Sequence, residues 1–424
     1  MPQSMNTFPR TVRVRQSFDA TRIDDVEGEV RKELARLSLR DRVAPGESVA
    51  ITCGSRGVAN IRLVMRAAAG FLRSIGAEPF IVPAMGSHGG GTAEGQRQVL
   101  ESYGVTEEFC GCPIRSSMET VIVCETAEGF PVHFDRHAYE AQHVLVVNRV
   151  KPHTGFVGDI ESGLMKMMLI DLGKHAGAKI YHRAIKDYSF DQIVRSVAGV
   201  VLTRCHVVGG LALVENGYEQ TAKVEAVMPQ AIYEREKGLL RLAKRLMPRL
   251  PLDDIDVLLI DQIGKNISGT GMDTNIIGRK YNDHVAIGDE TPRIKRIIVR
   301  GLTHETHGNA TGIGLSEFCL SRVVEEMDAR ITNINCITGG HPTGAMVPIH
   351  FPTDRETLEV ALSTIGLTPP EEAKLAWIHN TLEVAELELS EACLAEVVER
   401  ANVEILGEPR PLPLDDAGML PDLR

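Results

Sequence analysis

Apolar and polar positions along the first half of the chain form two alternating kinds of block. The short apolar runs cover residues 48–53, 79–83, 121–125, 143–148 and 205–213. Apolar residues at helical spacing cover residues 61–75, 93–103 and 192–203. Runs of the first kind are typical of buried strands, and strands that alternate with helices predict an α/β domain with a mainly parallel sheet.

The second half predicts a second α/β domain that also has a mainly parallel sheet. A basic amphipathic helical connection is predicted over residues 224–250, and an apolar run at residues 255–260 opens the new sheet. The other predicted elements are strands at 297–302 and 346–351 and helices at 316–327 and from residue 371. Pro348 confines its strand to a sheet edge, because proline cannot donate to the ladder.

The domain boundary is predicted near residue 252, which divides the chain into residues 1–252 and 253–424. The tail at residues 407–424 is rich in proline and acidic residues. Such a composition predicts either a strap or a disordered segment.

Composition narrows the function classes. The chain has 424 residues, a net charge of -11 and only 4% aromatic residues, with Trp377 as its one tryptophan. These values argue against nucleic-acid binding, which uses basic patches and aromatic platforms. Eight scattered cysteines do not form a disulfide framework, and the close pair Cys110 and Cys112 is interpreted as reduced thiols. With neither a signal peptide nor a membrane span evident, we expect a cytoplasmic protein without a membrane partner.

Candidate chemistry lies in loops that follow predicted strands. Arg56 follows the first strand and could bind a carboxylate, or it could be a solvated surface residue. The loop at residues 86–92 (GSHGGGT) places His88 before three glycines that permit close approach of a ligand. It matches neither a Walker A motif nor a dinucleotide fingerprint. The alternative interpretation is a glycine-rich turn with an exposed histidine.

The loop after residues 143–148 is the densest in ionisable groups. It contains His153, Asp159, Glu161 and Lys166 within fourteen positions. Loops of this kind, directly after a buried strand, are usually functional. His182 follows on a predicted helical stretch and is either a metal ligand or a core histidine.

Two loops of the second half also contain candidate polar residues. Residues 261–273 follow the strand at 255–260 and include Gln262 and Lys265. His304 and His307 superficially suggest a metal site, but their spacing and the glycines that follow do not match the metalloprotease helix motif.

These motifs, in this order, resemble the LarA-like lactate racemase family and its broader group of homologues. Ser162-Gly163-Leu-Met-Lys166 resembles the family's Ser-Gly-Gly-x-Lys stretch, with Leu164 in place of the second glycine. In the family a nickel-binding histidine follows that lysine by sixteen residues, and His182 stands at this spacing. The loop before Lys166 is about three residues longer than in lactate racemases. Its acids suggest a substrate larger or more polar than lactate, such as a sugar acid.

The resemblance implies a racemase or epimerase that inverts C2 of a 2-hydroxy acid. It also implies a nickel-pincer nucleotide of the pyridinium-3,5-bisthiocarboxylic acid mononucleotide type, an active site in the cleft between the two domains, and cofactor-synthesis enzymes as partners. The implied site residues are His88 and His153 as catalytic bases, Lys166, Gly89, Gly90 and Ser162 at the cofactor, Arg56, Gln262 and Lys265 at the substrate, and His182 on nickel.

Two alternatives remain open on the sequence. A zinc-type hydrolase or lyase could use His153 and His182 as ligands. A non-enzymatic carrier of the nickel cofactor is the other, although a carrier has no use for two bases. The sequence is compatible with an oligomer.

Overall fold

The computed structural model describes residues 8–55, 57–185, 187–280 and 291–423, and for His182 the backbone alone. The chain forms two compact units. The N-terminal unit comprises residues 19–153 and 157–247, and the C-terminal unit comprises the described parts of 8–18, 154–156 and 248–423. The expected division at residue 252 had placed residues 8–18 in the first domain, whereas the structure joins them to the second unit.

Strands and helices alternate along much of the described chain. The strands are β1 (Thr11–Gln16), β2 (Ser48–Cys53), β3 (Glu78–Pro83), β4 (Thr120–Glu125), β5 (Pro131–Asp135), β6 (His143–Arg149), β7 (Val207–Glu215), β8 (Thr221–Val227), β9 (Asp254–Ile260), β10 (Arg293–Val299), β11 (Phe318–Leu320), β12 (Ile349–Phe351), β13 (Leu375–Ile378), β14 (Glu386–Ser390) and β15 (Val403–Ile405). The helices are α1 (Val26–Ala35), α2 (Ile61–Ser74), α3 (Ala93–Ser102), α4 (Glu107–Cys110), α5 (Arg136–Glu140), α6 (Leu164–Lys166), α7 (Lys174–Ala184), α8 (Phe190–Arg204), α9 (Ile232–Leu246), α10 (Ser321–Glu326), α11 (Ala329–Thr338), α12 (Asp354–Leu362) and α13 (Leu394–Val397). A π-helical turn, Met167–Asp171, follows α6 directly. None of the described helices has the length and apolar character to cross a bilayer.

The N-terminal unit is built on a five-stranded sheet with the order β3-β2-β6-β7-β8. Its first four strands are parallel, and β8 pairs antiparallel with β7 at the edge. A separate hairpin pairs β4 with β5. This arrangement confirms the predicted α/β class. Because the parallel strands run the same way, the loops after β3, β2 and β6 emerge at one edge, here called the carboxyl edge.

The C-terminal unit contains an eight-stranded sheet with the order β12-β11-β10-β9-β13-β14-β1-β15. Strands β12 to β13 are parallel along this order, whereas β14 pairs antiparallel with both β13 and β1. The sheet is therefore mixed and largely parallel, and β1 enters it from the start of the chain. As predicted, the strand after Pro348 lies at the sheet edge.

Three sequence expectations differ from the structure. The predicted helix at 316–327 begins only at Ser321, because Phe318–Leu320 forms strand β11. The predicted helix at 224–250 begins only at Ile232, because Thr221–Val227 forms the edge strand β8. The region from residue 371 contains strands β13 and β14 where helix was expected. β13 is buried throughout, and an apolar run buried on both faces has no period that separates strand from helix.

The C-terminal tail is an ordered strap. Leu412, Leu420 and Leu423 are buried in the hydrophobic core of the C-terminal unit. This outcome selects the strap from the two sequence alternatives, because the apolar residues within the tail have a core to enter.

A buried ionic network fastens this strap. Arg300, directly after β10, is fully buried and forms an ion pair with Asp354, whose Oδ1 lies 2.7 Å from the arginine Nε. Arg300 also contacts Asp261, which accepts a 2.7 Å hydrogen bond from the indole nitrogen of Trp377. The backbone N–H of Leu423 donates to Asp261 at 2.8 Å. The strap thus supplies a hydrogen bond to a buried ionic network whose charges would be costly if they were unpaired.

Arg300→Ala should destabilise the protein strongly, because it leaves two buried carboxylates without their cation. We expect a loss of about 3–5 kcal/mol in the free energy of unfolding, measured by urea denaturation. The matched control is Arg293→Ala, which removes a solvent-exposed pair with Asp254. The control should cost at most about 1 kcal/mol. Equal losses in the two variants would contradict the network's role.

Candidate active site

Ser55 and His88 meet at the carboxyl edge of the N-terminal sheet. Ser55 lies two residues after β2, and His88 lies in the loop that follows β3. The Ser55 hydroxyl is hydrogen-bonded to the Nδ1 atom of His88. Tyr103 donates a 2.7 Å hydrogen bond from its hydroxyl to the Ser55 carbonyl, which fixes the serine backbone. The exposed imidazole is therefore oriented by a neighbour that the sequence analysis did not single out.

Backbone conformation favours glycine at both Gly89 and Gly90 in the loop around His88, and at Gly89 a side chain would also clash. Gly89 and Gly90 have φ values of 65° and 67°, in the left-handed region that disfavours side chains. A Cβ on Gly89 would lie 2.6 Å from the backbone nitrogen of Gln96, whereas a Cβ on Gly90 would meet nothing within 4 Å. Gly90 thus leaves open space beside the backbone. Thr92 caps α3 by accepting a 3.1 Å hydrogen bond from the backbone N–H of Gly95.

A buried polar cluster lies beneath this loop. The Lys174 ammonium is fully buried, 3.0 Å from an Asp135 carboxylate oxygen and 3.1 Å from the side-chain oxygen of Gln96. Gln96 in turn donates a 2.9 Å hydrogen bond to the Gly86 carbonyl. Burial lowers the pKa of Lys174, and the negative charge of Asp135 opposes this effect. The cluster holds the start of the glycine-rich loop in place.

Glu161 holds the loop that carries His153. Its carboxylate accepts hydrogen bonds from the backbone N–H of His153 at 2.8 Å and of Gly158 at 3.2 Å. Lys244 of α9 supplies the counter-ion at 2.5 Å. Asp159 is 62% exposed and lies 3.7 Å from the ammonium of Lys237. Glu161, interpreted from sequence as a polar feature of the substrate loop, is therefore buried and bound to that loop's own backbone.

The turn that leads to Lys166 is fixed by two polar side chains. Asn148 donates a 2.8 Å hydrogen bond to the Gly163 carbonyl, and Glu236 of α9 accepts one of 3.1 Å from the N–H of Met165. A Cβ on Gly163 would lie 2.7 Å from the Glu236 carboxyl carbon, so only glycine fits there. Burial raises the pKa of Glu236 to about 7, against the opposing hydrogen bonds from the backbone. Ser162, partly buried, begins this turn.

Lys166 is joined to the glycine-rich loop through Asp171. The Lys166 ammonium lies 3.0 Å and 3.2 Å from the two carboxylate oxygens of Asp171. The Asp171 carbonyl accepts a 3.0 Å hydrogen bond from the Gly86 N–H. The structure thus brings the predicted cofactor lysine and the loop of His88 to one edge of the sheet.

The other predicted residues are placed differently. The His182 backbone lies in α7, and Arg56 lies outside the described residues. Gln262 and Lys265 follow β9 in the C-terminal unit, where the Lys265 ammonium donates a 2.7 Å hydrogen bond to the Gly269 carbonyl. The ring centroids of His304 and His307, in one loop of the C-terminal unit, lie 6.0 Å apart. Within the described side chains, no group of three or more histidines, cysteines or acids is arranged to hold a metal ion.

Sequence reasoning missed the residues that support the site. Lys174, Asp135 and Gln96 lie far apart in the chain, and Glu236 lies on a helix that looked only amphipathic. One local signal was present for Asn148, because a polar residue at the end of an otherwise apolar strand often marks a site at the carboxyl edge.

Comparison with known proteins supports the fold. No protein-family model and no curated protein matches this chain. The solved structure of the lactate racemase apoprotein from Thermoanaerobacterium thermosaccharolyticum matches with a TM-score of 0.53 at 12% identity, over 88% of this chain and 99% of that chain. An O-ureido-L-serine synthase structure, at 12% identity over 94% of this chain and 96% of that chain, has a TM-score of 0.15. The protein therefore shares the fold of lactate racemase.

The raised pKa of Glu236 predicts a specific pH dependence of stability. The unfolded chain ionises this group near its ordinary value of 4.5, whereas the folded protein keeps the proton until about pH 7. Folding therefore loses stability as the pH rises between these values. Glu236→Gln lacks this titration, so its free energy of unfolding relative to wild type should increase from pH 5 to pH 8, measured by urea denaturation.

Glu234→Gln is the matched control on the same helix. Its side chain is 73% exposed, so the same substitution should leave the difference from wild type nearly constant across this pH range. A flat difference for Glu236→Gln as well would show that the buried carboxyl does not retain its proton.

Proposed function

We propose that this protein is an isomerase, a racemase or epimerase that inverts C2 of a 2-hydroxy acid with a nickel-pincer nucleotide as cofactor. The observation that carries the proposal is the placement of His88 and Lys166 at one carboxyl edge. Asp171 connects them, because its carboxylate pairs with Lys166 and its carbonyl accepts a hydrogen bond from Gly86 in the loop of His88. The lactate racemase fold supports the same reaction class.

The residues at this edge fit an anionic nucleotide. Lys166 offers an ammonium group beside a loop whose Gly90 has open space where a side chain would stand. We propose that Lys166, Gly89, Gly90 and Ser162 contact the cofactor and that His182 binds nickel, because imidazole is a suitable nickel ligand. When bound, the cofactor would supply an acceptor for the C2 hydride.

The chain's own contribution to the reaction is proton transfer and positioning. We propose that His88 and His153 act as bases toward the substrate hydroxyl, one for each enantiomer. Histidine suits this role, since its ordinary pKa lies near neutrality and it can accept and return a proton. Because Ser55 engages Nδ1 of His88, we assign the proton transfer to Nε2.

The substrate class is a 2-hydroxy acid, either lactate-like or a sugar acid. Arg56, Gln262 and Lys265 are proposed to bind its carboxylate end, on sequence resemblance alone. Glu161 no longer argues for a polar substrate, because its carboxylate is occupied by the loop backbone and Lys244. An additional stereocentre in the substrate would make the enzyme an epimerase instead of a racemase.

Three histidine variants separate base catalysis from nickel binding. In protein co-expressed with the cofactor-synthesis enzymes, His88→Ala and His153→Ala should abolish turnover yet retain nickel, whereas His182→Ala should lose nickel. Metal content and inversion of a panel of 2-hydroxy acids, followed by chiral chromatography, are the measurements. Full turnover by either of the first two variants would exclude the two-base scheme.

His206→Asn is the matched control. His206 directly precedes β7, at the opposite edge of the sheet, and its φ of 50° is one that asparagine tolerates. This variant should retain both nickel and turnover. If wild-type protein contains no nickel although the cofactor pathway is active, the proposed chemistry is contradicted and only the shared fold remains.

A further inference from the structure

A short 3₁₀ turn after β10 presents two histidines on one side of a loop. The turn covers His304–Thr306, and the backbone N–H of His307 closes it by donating a 3.1 Å hydrogen bond to the His304 carbonyl. A 3₁₀ turn has three residues per turn, so side chains at positions i and i+3 eclipse each other. Both imidazoles are exposed, with ring centroids 6.0 Å apart and ring planes at 68°. This turn therefore pairs two imidazoles without the spacing of the metalloprotease helix.

We propose that His304 and His307 together bind a divalent transition-metal ion of the zinc type, with no ligand taken from the proposed nickel site. The proposal does not depend on the proposed function. Neutral imidazole suits zinc, which prefers a tetrahedron of four ligands. At a zinc–nitrogen length of about 2.1 Å each ring centre would lie roughly 3.2 Å from the metal, and the tetrahedral angle would set the two centres about 5.2 Å apart. Small side-chain rotations suffice to close the observed 6.0 Å to this value.

Contacts within the loop hold the turn in this shape. The Thr306 hydroxyl donates a 2.7 Å hydrogen bond to the Asn309 carbonyl. The Asp328 N–H donates one of 2.8 Å to the Gly308 carbonyl, and a Cβ on Gly308 would lie 3.0 Å from that nitrogen. His307 adopts the left-handed region, with a φ of 49° and a ψ of 48°, which is uncommon for a residue with a side chain. The fold thus fixes the backbone that pairs the imidazoles, and binding does not have to order it.

Two imidazoles fill only half of the positions around a tetrahedral ion. Structural zinc sites fill all four with protein ligands, whereas sites that act on a ligand keep a position open for water or substrate. The turn follows β10, and loops after parallel strands are the usual place of ligand sites in α/β sheets. We therefore expect an exchangeable ion whose remaining positions take water or a carboxylate, and whose removal leaves the fold intact.

Isothermal titration of zinc chloride into the cofactor-free protein tests the site. Wild-type protein should bind zinc in the presence of excess magnesium, because magnesium prefers oxygen ligands. His304→Ala and His307→Asn should each weaken this binding by at least about tenfold, since loss of a group that only orients a metal ligand already costs about that much. Asparagine is chosen at the second position because it tolerates the left-handed backbone. Circular dichroism should show the same fold in all variants.

His350→Ala is the matched control. His350 is an exposed histidine of the same unit, and its Nδ1 lies 3.0 Å from the Ser321 hydroxyl. This variant should bind zinc as wild type does. Peptide mapping after treatment with diethyl pyrocarbonate locates the ion: zinc should protect His304 and His307 from modification and leave His350 reactive.

Three results would overturn the proposal. They are the absence of zinc binding by wild-type protein, undiminished binding by the double variant of His304→Ala and His307→Asn, and equal modification of the two histidines with and without zinc. None of them bears on the proposed function, because the protein in these experiments carries no nickel cofactor.

Discussion

The candidate site depends on the pairing of the buried Lys174 ammonium group with its polar partners. A charge without access to water must be paired, and its partners here come from separate parts of the chain: Asp135 at the end of β5, Gln96 on α3 and the Pro83 carbonyl at the end of β3. These contacts fix where α7 begins relative to the sheet. Because Gln96 also binds Gly86, the same charge sets the position of the loop that carries His88.

The loops of the site follow one physical rule. Each contains backbone N–H and C=O groups that no helix or strand satisfies, so buried side chains must satisfy them. Glu161 serves the His153 loop, whereas Glu236 and Asn148 serve the turn before Lys166. Both glutamates depend on α9, which carries Glu236 itself and supplies Lys244 to Glu161. One helix therefore supports both ends of the segment from His153 to Lys166, which keeps irregular backbone in a defined geometry.

The sequence predicted the N-terminal sheet well, because its central strands are short apolar runs between glycine-rich loops. It failed where a strand lacks a distinguishing period, as in β13, or where pairing is remote in the chain, as in β1. It also singled out His88 and Lys166 as candidates, but not the buried side chains that hold their loops. A buried charge such as Lys174 looks like a surface residue in any local window, since its burial depends on partners that the fold brings from elsewhere.

The carboxyl ends of the two sheets are used differently, and this difference decides where chemistry is to be expected. In the C-terminal unit Asp261 and Arg300 follow two adjacent parallel strands, a place typical of binding sites. There Arg300 forms ion pairs with Asp261 and Asp354. The backbone N–H of Leu423, in the C-terminal strap, donates a hydrogen bond to Asp261. In the N-terminal unit the imidazole of His88 is exposed, and Gly90 has space beside it. Asp261, Arg300 and Asp354 of the C-terminal unit are thus occupied by one another and by the strap, whereas the imidazole of His88 in the N-terminal unit is positioned by folding and stays exposed.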